Sequence, residues 1–154
     1  GMAKGAKFLG KDINVYAVLG DGELAEGQIW EAAMFAAHYK LDNLCIIADI
    51  NGLQIDGRTC DVMNTEPVDA KFAAFGCDVV KINGHDFGEI ESAFEKFHAN
   101  KGSGKPTVIL MKTTKGKGVS YMEDNAGWHG KAPNDEEYAK GMAELAAARA
   151  ALEV

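Results

Sequence analysis

The chain has 154 residues, of which 47% are hydrophobic and 25% are charged, and its formal net charge is −7. This length suits one compact domain, and the composition excludes a disordered or fibrous protein. The excess of acidic residues argues against nucleic-acid binding, because a negatively charged surface repels the phosphate backbone.

The N-terminal sequence GMAKGAKFLGKD lacks the long apolar stretch of a signal peptide. No apolar run in the chain approaches the roughly 20 residues that a membrane-spanning helix needs. We therefore expect a soluble, cytoplasmic protein that does not contact membranes. The spacing of Cys45, Cys60 and Cys77 fits neither a zinc ribbon nor a set of paired disulfides, so we expect reduced thiols.

Short β-branched runs alternate with longer helical patterns along the chain. This alternation predicts an α/β fold, with a mostly parallel sheet flanked by helices, and we treat residues 1–154 as a single domain. The predicted strands are residues 14–19, 44–48, 78–82 and 106–112. The second and fourth contain the continuously apolar runs LCIIA and VILM, which is typical of strands covered on both faces in the middle of a sheet.

Helices are predicted in four places. Residues 2–9 resemble the end of a helix closed by Gly10, and apolar residues at helical spacing from Leu24 to Leu41 predict a helix between the first two strands. A second amphipathic pattern covers residues 87–100, and Asp86 is the predicted N-cap of that helix. Asn134, with Glu137 three residues later, forms a capping-box pattern that predicts a final helix running to the C-terminus.

The turn Gly20-Asp21-Gly22 follows the first predicted strand and precedes a helix. Ligands bind at the carboxyl ends of strands in open α/β sheets, so this turn is a candidate site. The pattern Gly20-x-Gly22-x-x-Ala25 also matches the dinucleotide-binding fingerprint, with Asp49 as the ribose-binding acid. Asp21 argues against that interpretation, since it would repel a pyrophosphate by about 4 kcal/mol per close charge pair at an effective dielectric constant of about 20. A cation that bridges Asp21 and the pyrophosphate would turn this repulsion into attraction.

Asn51 follows the second predicted strand, 30 residues after Asp21. Gly52 permits a tight turn there, so that the carbonyl of Leu53 can point toward the same place. Three such oxygens, together with two phosphates and a water, suit Mg²⁺. A Gly-Asp-Gly or an Asn-Gly sequence alone often marks an ordinary turn with no bound ligand. Together, over a helix N-terminus, they favour a site for a diphosphate and a metal ion.

The segments GDGELAEG and NGLQIDG, followed by FGCDVVKINGHDF, KTTKGKGVSYMED and WHGKAPNDEEY, resemble the transketolases. The resemblance is strongest to the N-terminal, thiamine diphosphate-binding subunit of the split bacterial and archaeal type, and it covers nearly the whole chain. It implies the thiamine diphosphate-binding fold, thiamine diphosphate with Mg²⁺ or Ca²⁺ as cofactors, and transfer of a two-carbon ketol unit between sugar phosphates.

Two alternatives remain open at this point. One is another thiamine diphosphate enzyme, such as a deoxyxylulose phosphate synthase or the α subunit of a 2-oxoacid dehydrogenase, although the segments QIDG and WHGKAP favour transketolase. The other is a truncated, non-catalytic module that keeps the fold.

The resemblance also implies roles for individual residues. Asp21, Asn51 and the Leu53 carbonyl bind the metal ion, and Gly22 lies against the diphosphate. Gly20 is a further cofactor-binding residue.

Three further residues take roles from the same resemblance. Ile55 packs on the cofactor rings, and His129 sits beside the diphosphate and thiazolium, where it donates a hydrogen bond or moves a proton. Glu26 matches an acidic residue at the subunit contact that links paired active sites. A glutamate that stabilises the start of a helix is an equally good interpretation of Glu26.

Members of the family that this chain resembles carry a segment before the GDG motif, and that segment contacts the cofactor and the sugar. They also take the pyrimidine half of the cofactor from a second domain or subunit. We therefore expect an incomplete fold, a C-terminal partner subunit with the pyrimidine-binding domain, and a homo- or hetero-oligomer. On this expectation the isolated chain is inactive.

Overall fold

The computed structural model describes residues 1–152. The strands are β1 (Val15–Gly20), β2 (Leu44–Ile50), β3 (Leu53–Gln54), β4 (Gly57–Arg58), β5 (Asp78–Asn83) and β6 (Thr107–Lys112). The helices are α1 (Met2–Phe8), α2 (Gly27–His38), α3 (Thr59–Val62), α4 (Val68–Ala74), α5 (Phe87–Ala99) and α6 (Asp135–Leu152).

Four of the strands form a parallel sheet in the order β1-β2-β6-β5, and β3 and β4 form a separate antiparallel hairpin. The predicted α/β fold with a mostly parallel sheet is confirmed. The two continuously apolar strands, β2 and β6, occupy the middle of the sheet as expected.

Helices cover both faces of this sheet. Successive side chains of β2 and β6 point to opposite sides, so these strands contribute apolar residues to a core on each face. On one face α2 and α4 pack together, with the rings of Trp30 and Phe72 4.8 Å apart. On the other face α5 contributes Phe97, which packs near Cys45. Burial raises the pKa of the Cys45 thiol to about 12 and that of Cys77 to about 11, so both stay protonated and inert.

Two helix starts were predicted correctly from their caps. Asp86 Oδ1 accepts a hydrogen bond from the Glu89 N–H at 3.0 Å. The Asn134 side chain accepts from the Glu137 N–H at 2.9 Å, while the Glu137 carboxylate accepts from the Asn134 N–H at 2.8 Å. This reciprocal pair is a capping box.

The prediction between the first two strands needs a correction. Residues Glu23–Ala25 form a separate 3₁₀ turn, and the α-helix begins only at Gly27. The sequence interpretation also missed the β3–β4 hairpin and helices α3 and α4.

Apolar residues remain exposed at the β1 edge of the sheet and on α6. Val18 of β1 is 71% exposed, and Tyr16 is 45% exposed although its ring packs 5.4 Å from that of Phe97. On α6, Tyr138 and Met142 are exposed, and the helix is held by a hydrogen bond from the Tyr121 hydroxyl to the Glu137 carbonyl at 2.5 Å.

Within residues 1–152, no helix is both long enough and apolar enough to cross a membrane.

Candidate functional site

A cleft of about 520 Å³ opens beyond the carboxyl ends of β1 and β2. All eight residues that the sequence singled out for cofactor, metal or catalysis line it, and four further residues line it with them. The cleft is lined by Gly20, Asp21, Gly22, Glu23, Glu26, Asp49, Asn51, Leu53, Gln54, Ile55, Lys115 and His129. Segments distant in the sequence therefore meet at one place, because parallel strands end at the same edge of the sheet.

Asp21 lies at the floor of this cleft and is only 4% exposed. Its Oδ1 accepts from the Gly22 N–H at 2.9 Å, and its Oδ2 accepts from the Gly52 N–H across the cleft. Burial raises the pKa of Asp21 above its usual value, and the nearby Asp49 charge acts in the same direction. The N–H groups of Gly52 and Gly22 offset part of this rise. A cation beside this carboxylate would stabilise its charged form.

The orientation of Asn51 is defined by hydrogen bonds at both ends of its amide. Its Nδ2 donates to Asp49 Oδ2 at 3.3 Å, and its Oδ1 accepts from the Leu53 N–H at 2.9 Å. Asp49 is held in turn by the Thr113 hydroxyl, which donates to its Oδ1. Both carboxylate oxygens of Asp49 thus accept hydrogen bonds within the protein, and Asp49 holds the Asn51 amide in place.

Leu53 begins the short hairpin that forms one wall of the cleft. Gly52 adopts a φ of 82°, which only glycine tolerates readily, and this turns the chain back after β2. One residue of an extended strand directs its N–H and C=O to the same side. The Leu53 N–H donates to the Asn51 side chain, so the Leu53 carbonyl is expected on the same side of the strand as Asn51. Leu53 is also the residue that pairs with Arg58 in the hairpin.

Ile55 and His129 lie at the rim of the cleft. Ile55 is 66% exposed in the two-residue loop of the β3–β4 hairpin. His129 is exposed and follows a 3₁₀ turn, Ala126–Trp128, to whose first carbonyl it donates its backbone N–H at 2.9 Å. The neighbouring Trp128 ring carries the Lys131 ammonium 4.2 Å from its centroid, which anchors this segment.

Glutamates at the start of α2 add negative charge to the cleft. Glu26 occupies the N-cap position of α2, and its carboxylate accepts from the Gln28 side chain. The Glu23 carboxylate accepts a hydrogen bond from the Gly20 N–H at 3.1 Å and so braces the glycine turn. With Asp21 and Asp49 these make four carboxylates on the cleft wall, against the single lysine Lys115.

Gln54 is a cleft residue that sequence reasoning missed. Its side chain covers Gly22, where a Cβ would lie 2.8 Å from Gln54 Cβ. Among the described residues, its Oε1 is one of two buried side-chain oxygens without a hydrogen-bond partner. Nothing in the local sequence indicates this contact, because it joins two loops that are distant along the chain.

The donor set decides which metal ion the cleft suits. Over residues 1–152, no three His, Cys, Asp or Glu side chains group as a metal cluster. A metal ion here would rely on one buried carboxylate, Asp21, together with the Asn51 amide oxygen and the Leu53 carbonyl. Oxygen-only ligands suit Mg²⁺ or Ca²⁺ rather than a transition metal, so the residues present fit the predicted ion.

Comparison with known proteins gives consistent matches. The family model described as the transketolase thiamine diphosphate binding domain matches residues 4–151. One subunit of an apulose-4-phosphate transketolase from Actinobacillus succinogenes is 44% identical over 145 residues, which cover 94% of this chain and 51% of that protein. A 6-deoxy-6-sulfo-D-fructose transketolase subunit from a Clostridium species is 45% identical over 131 residues, covering 85% of this chain and 47% of that protein.

Solved structures agree with the sequence matches. The transketolase of Campylobacter jejuni superposes with a TM-score of 0.82 at 36% identity, covering 92% of this chain and 22% of that one. The chain spans about half the length of the curated subunits that it matches. On the match of the family model to nearly every residue, this chain belongs to the transketolase thiamine diphosphate binding domain family.

Proposed function

We propose that this chain holds the diphosphate and divalent-cation half of a transketolase active site. The observation that carries the proposal is the meeting of the buried Asp21 carboxylate with the oriented Asn51 amide at one cleft. The complete site would transfer a two-carbon ketol unit between sugar phosphates.

The electrostatics of the cleft support a cation as the link between protein and diphosphate. Four carboxylates line the cleft, so a bare diphosphate would be repelled. A Mg²⁺ or Ca²⁺ ion held by Asp21, Asn51 and the Leu53 carbonyl would reverse that repulsion. Gly20 supports the same proposal, because nothing lies within 4 Å of the position that its Cβ would occupy. A diphosphate can therefore approach the backbone closely at that turn.

Thiamine diphosphate supplies the carbanion chemistry of ketol transfer when it is bound, and the protein supplies position and electrostatics. Ile55 is suited to cover the apolar rings, since its side chain is exposed at the hairpin tip on the rim of the cleft. His129 would donate to a diphosphate oxygen or move a proton from a sugar hydroxyl. Glu26, exposed at the cleft wall, is placed to meet a carboxylate partner across a subunit contact.

The remaining half of the active site is proposed to come from a second protein chain. Both curated relatives described above are named as subunits of transketolases and not as whole enzymes. By analogy, the partner is a C-terminal subunit with the pyrimidine-binding domain. The protein then acts as a hetero-oligomer, and the chain alone is inactive.

Calorimetry with thiamine diphosphate, in the presence and absence of Mg²⁺, tests the proposal. We expect binding that requires the metal ion, is weak for the chain alone and tightens when the partner subunit is added. A ketol-transfer assay should then show turnover only for the mixture. Cofactor binding that ignores Mg²⁺, or that remains absent with the partner present, would overturn the proposal.

A further inference from the structure

Gln54 lines the cleft, and its side chain carries a buried oxygen beside Gly22 with no donor to satisfy it. Among the described residues, Oε1 of Gln54 has no hydrogen-bond partner. A buried polar atom left unpaired is destabilising, so such an atom beside a binding cleft marks a place where a ligand supplies the missing group. The group missing here must be a donor or a cation, because an amide oxygen only accepts.

The position of this oxygen ties it to the proposed metal centre. Gln54 Oε1 lies 3.4 Å from the point where a Cβ on Gly22 would stand, and Gly22 donates its N–H to Asp21 Oδ1 at 2.9 Å. Gln54 also directly follows Leu53, whose carbonyl is one of the proposed metal ligands. The side chain that carries the unpaired oxygen therefore follows one proposed ligand, Leu53, in the sequence. It also packs on Gly22, which is hydrogen-bonded to another proposed ligand, Asp21.

The coordination of Mg²⁺ indicates what the missing donor is. This ion takes six oxygens in an octahedron and keeps some of its water. Three protein oxygens and two phosphate oxygens leave one position for a water molecule. Such a water donates two hydrogen bonds, and it needs acceptors on the protein.

We propose that Gln54 Oε1 accepts a hydrogen bond from a water molecule bound to the cofactor's divalent cation. Gln54 is thus a positioning residue for the metal ion and not one of its direct ligands. This inference rests on the proposed function and adds a contact to it. Groups that orient the ligands of a metal site typically change metal affinity by roughly 10- to 100-fold when they are removed.

The test compares Gln54→Leu with Gln54→Glu. Leucine keeps much of the side-chain volume over Gly22 but removes the acceptor, whereas glutamate keeps an acceptor oxygen in the same place. Mn²⁺ serves as the probe, titrated at saturating thiamine diphosphate with free Mn²⁺ followed by electron paramagnetic resonance. Thermal melting of each variant without ligands gives a second readout that reports folding alone.

We expect Gln54→Leu to bind Mn²⁺ about tenfold more weakly, and Gln54→Glu to bind it at least as tightly as the unmodified chain. Without ligands, Gln54→Leu should melt no lower than the unmodified chain, because it removes an unpaired buried oxygen. A leucine variant with unchanged Mn²⁺ affinity overturns the inference and leaves the proposed function standing. Equal weakening in both variants, with a lowered melting temperature, also overturns it, since that outcome indicates a packing role. Absence of cofactor-dependent Mn²⁺ binding in the unmodified chain, with the partner subunit also present, removes the proposed function itself.

Discussion

Asp49 determines which atom of the Asn51 amide points into the cleft. The Asp49 carboxylate accepts from Asn51 Nδ2 at 3.3 Å, and the Leu53 N–H donates to Asn51 Oδ1 at 2.9 Å. A flipped amide would set an oxygen against a carboxylate and an amino group against an N–H. Asn51 therefore keeps its oxygen, and the lone pair that remains on it, available for a cation.

Removal of the Asp49 carboxylate should weaken metal binding although Asp49 is not a proposed ligand. In Asp49→Leu the Asn51 amide can flip, and we expect Mn²⁺ affinity at saturating thiamine diphosphate to fall about tenfold. Asp49→Asn should remain near the unmodified affinity, because the Thr113 hydroxyl can turn to accept from the new amide. Combining Asp49→Asn with Thr113→Val removes this hydroxyl acceptor and should lower the Mn²⁺ affinity as much as Asp49→Leu does. Unmodified affinity in Asp49→Leu would contradict this account.

Asp21→Ala should abolish metal-dependent cofactor binding and leave the chain folded, because the side chain stands at a strand end and adds little to the apolar core. Calorimetry with thiamine diphosphate and Mg²⁺ measures the binding, and circular dichroism measures the fold. Asp61→Ala, which removes an exposed carboxylate on α3, is the matched control and should bind normally. Unchanged cofactor affinity in Asp21→Ala would refute the assigned site.

Asp42 is a structural carboxylate whose loss should destabilise the fold at neutral pH. It is 7% exposed, pairs with Lys7 at 2.5 Å, and accepts from the Gly102 and Gly104 N–H groups at 2.9 and 3.1 Å. We expect Asp42→Ala to lower the free energy of unfolding by about 2 kcal/mol, measured by urea denaturation. Asp12→Ala, which breaks an exposed ion pair with Lys101, should lower it by less than about 1 kcal/mol.

The effect of Asp42→Ala should also depend on pH. Burial alone would raise the pKa of Asp42, but Lys7 and the two glycine N–H groups outweigh it and hold the pKa below 3.8. A lowered pKa in the folded state gives stability that is present above the unfolded value and is lost as the pH falls through the folded value. The difference between Asp42→Ala and the unmodified chain should therefore shrink in acid below pH 3.8. A difference that stays constant down to the acid transition would contradict the pairing.

The apolar edge of the sheet should drive self-association of the isolated chain. β1 is the last strand on its side, and Val18 is 71% exposed there. Exposed apolar edge strands pair readily with other chains, and a lysine on such a strand suppresses pairing. Sedimentation velocity should show association of the unmodified chain and a shift toward monomer for Val18→Lys, with Ser92→Lys at an exposed position of α5 as the control of equal charge change. A monomeric unmodified chain at high concentration would count against this expectation.

Sequence patterns predicted the elements whose signals are local. The Asp86 cap, the Asn134 and Glu137 box, and the continuous apolar runs of β2 and β6 all act within a few residues, and each was recognised. Helix α4 was missed because it has only seven residues and buries only Val68 and Phe72, too few to show a helical period. The bond from Gly52 to Asp21, the hold of Thr113 on Asp49 and the packing of Gln54 on Gly22 were missed because each joins distant segments.

The hydrogen bond from the Gly52 N–H to Asp21 Oδ2 joins the two strand ends through groups of the chain itself. A site assembled in advance spends little of its binding energy on freezing loose loops. Cofactor capture should accordingly proceed with small conformational rearrangement on this wall. Tightening upon assembly with a second protein chain would then reflect added contacts rather than delayed folding of this half.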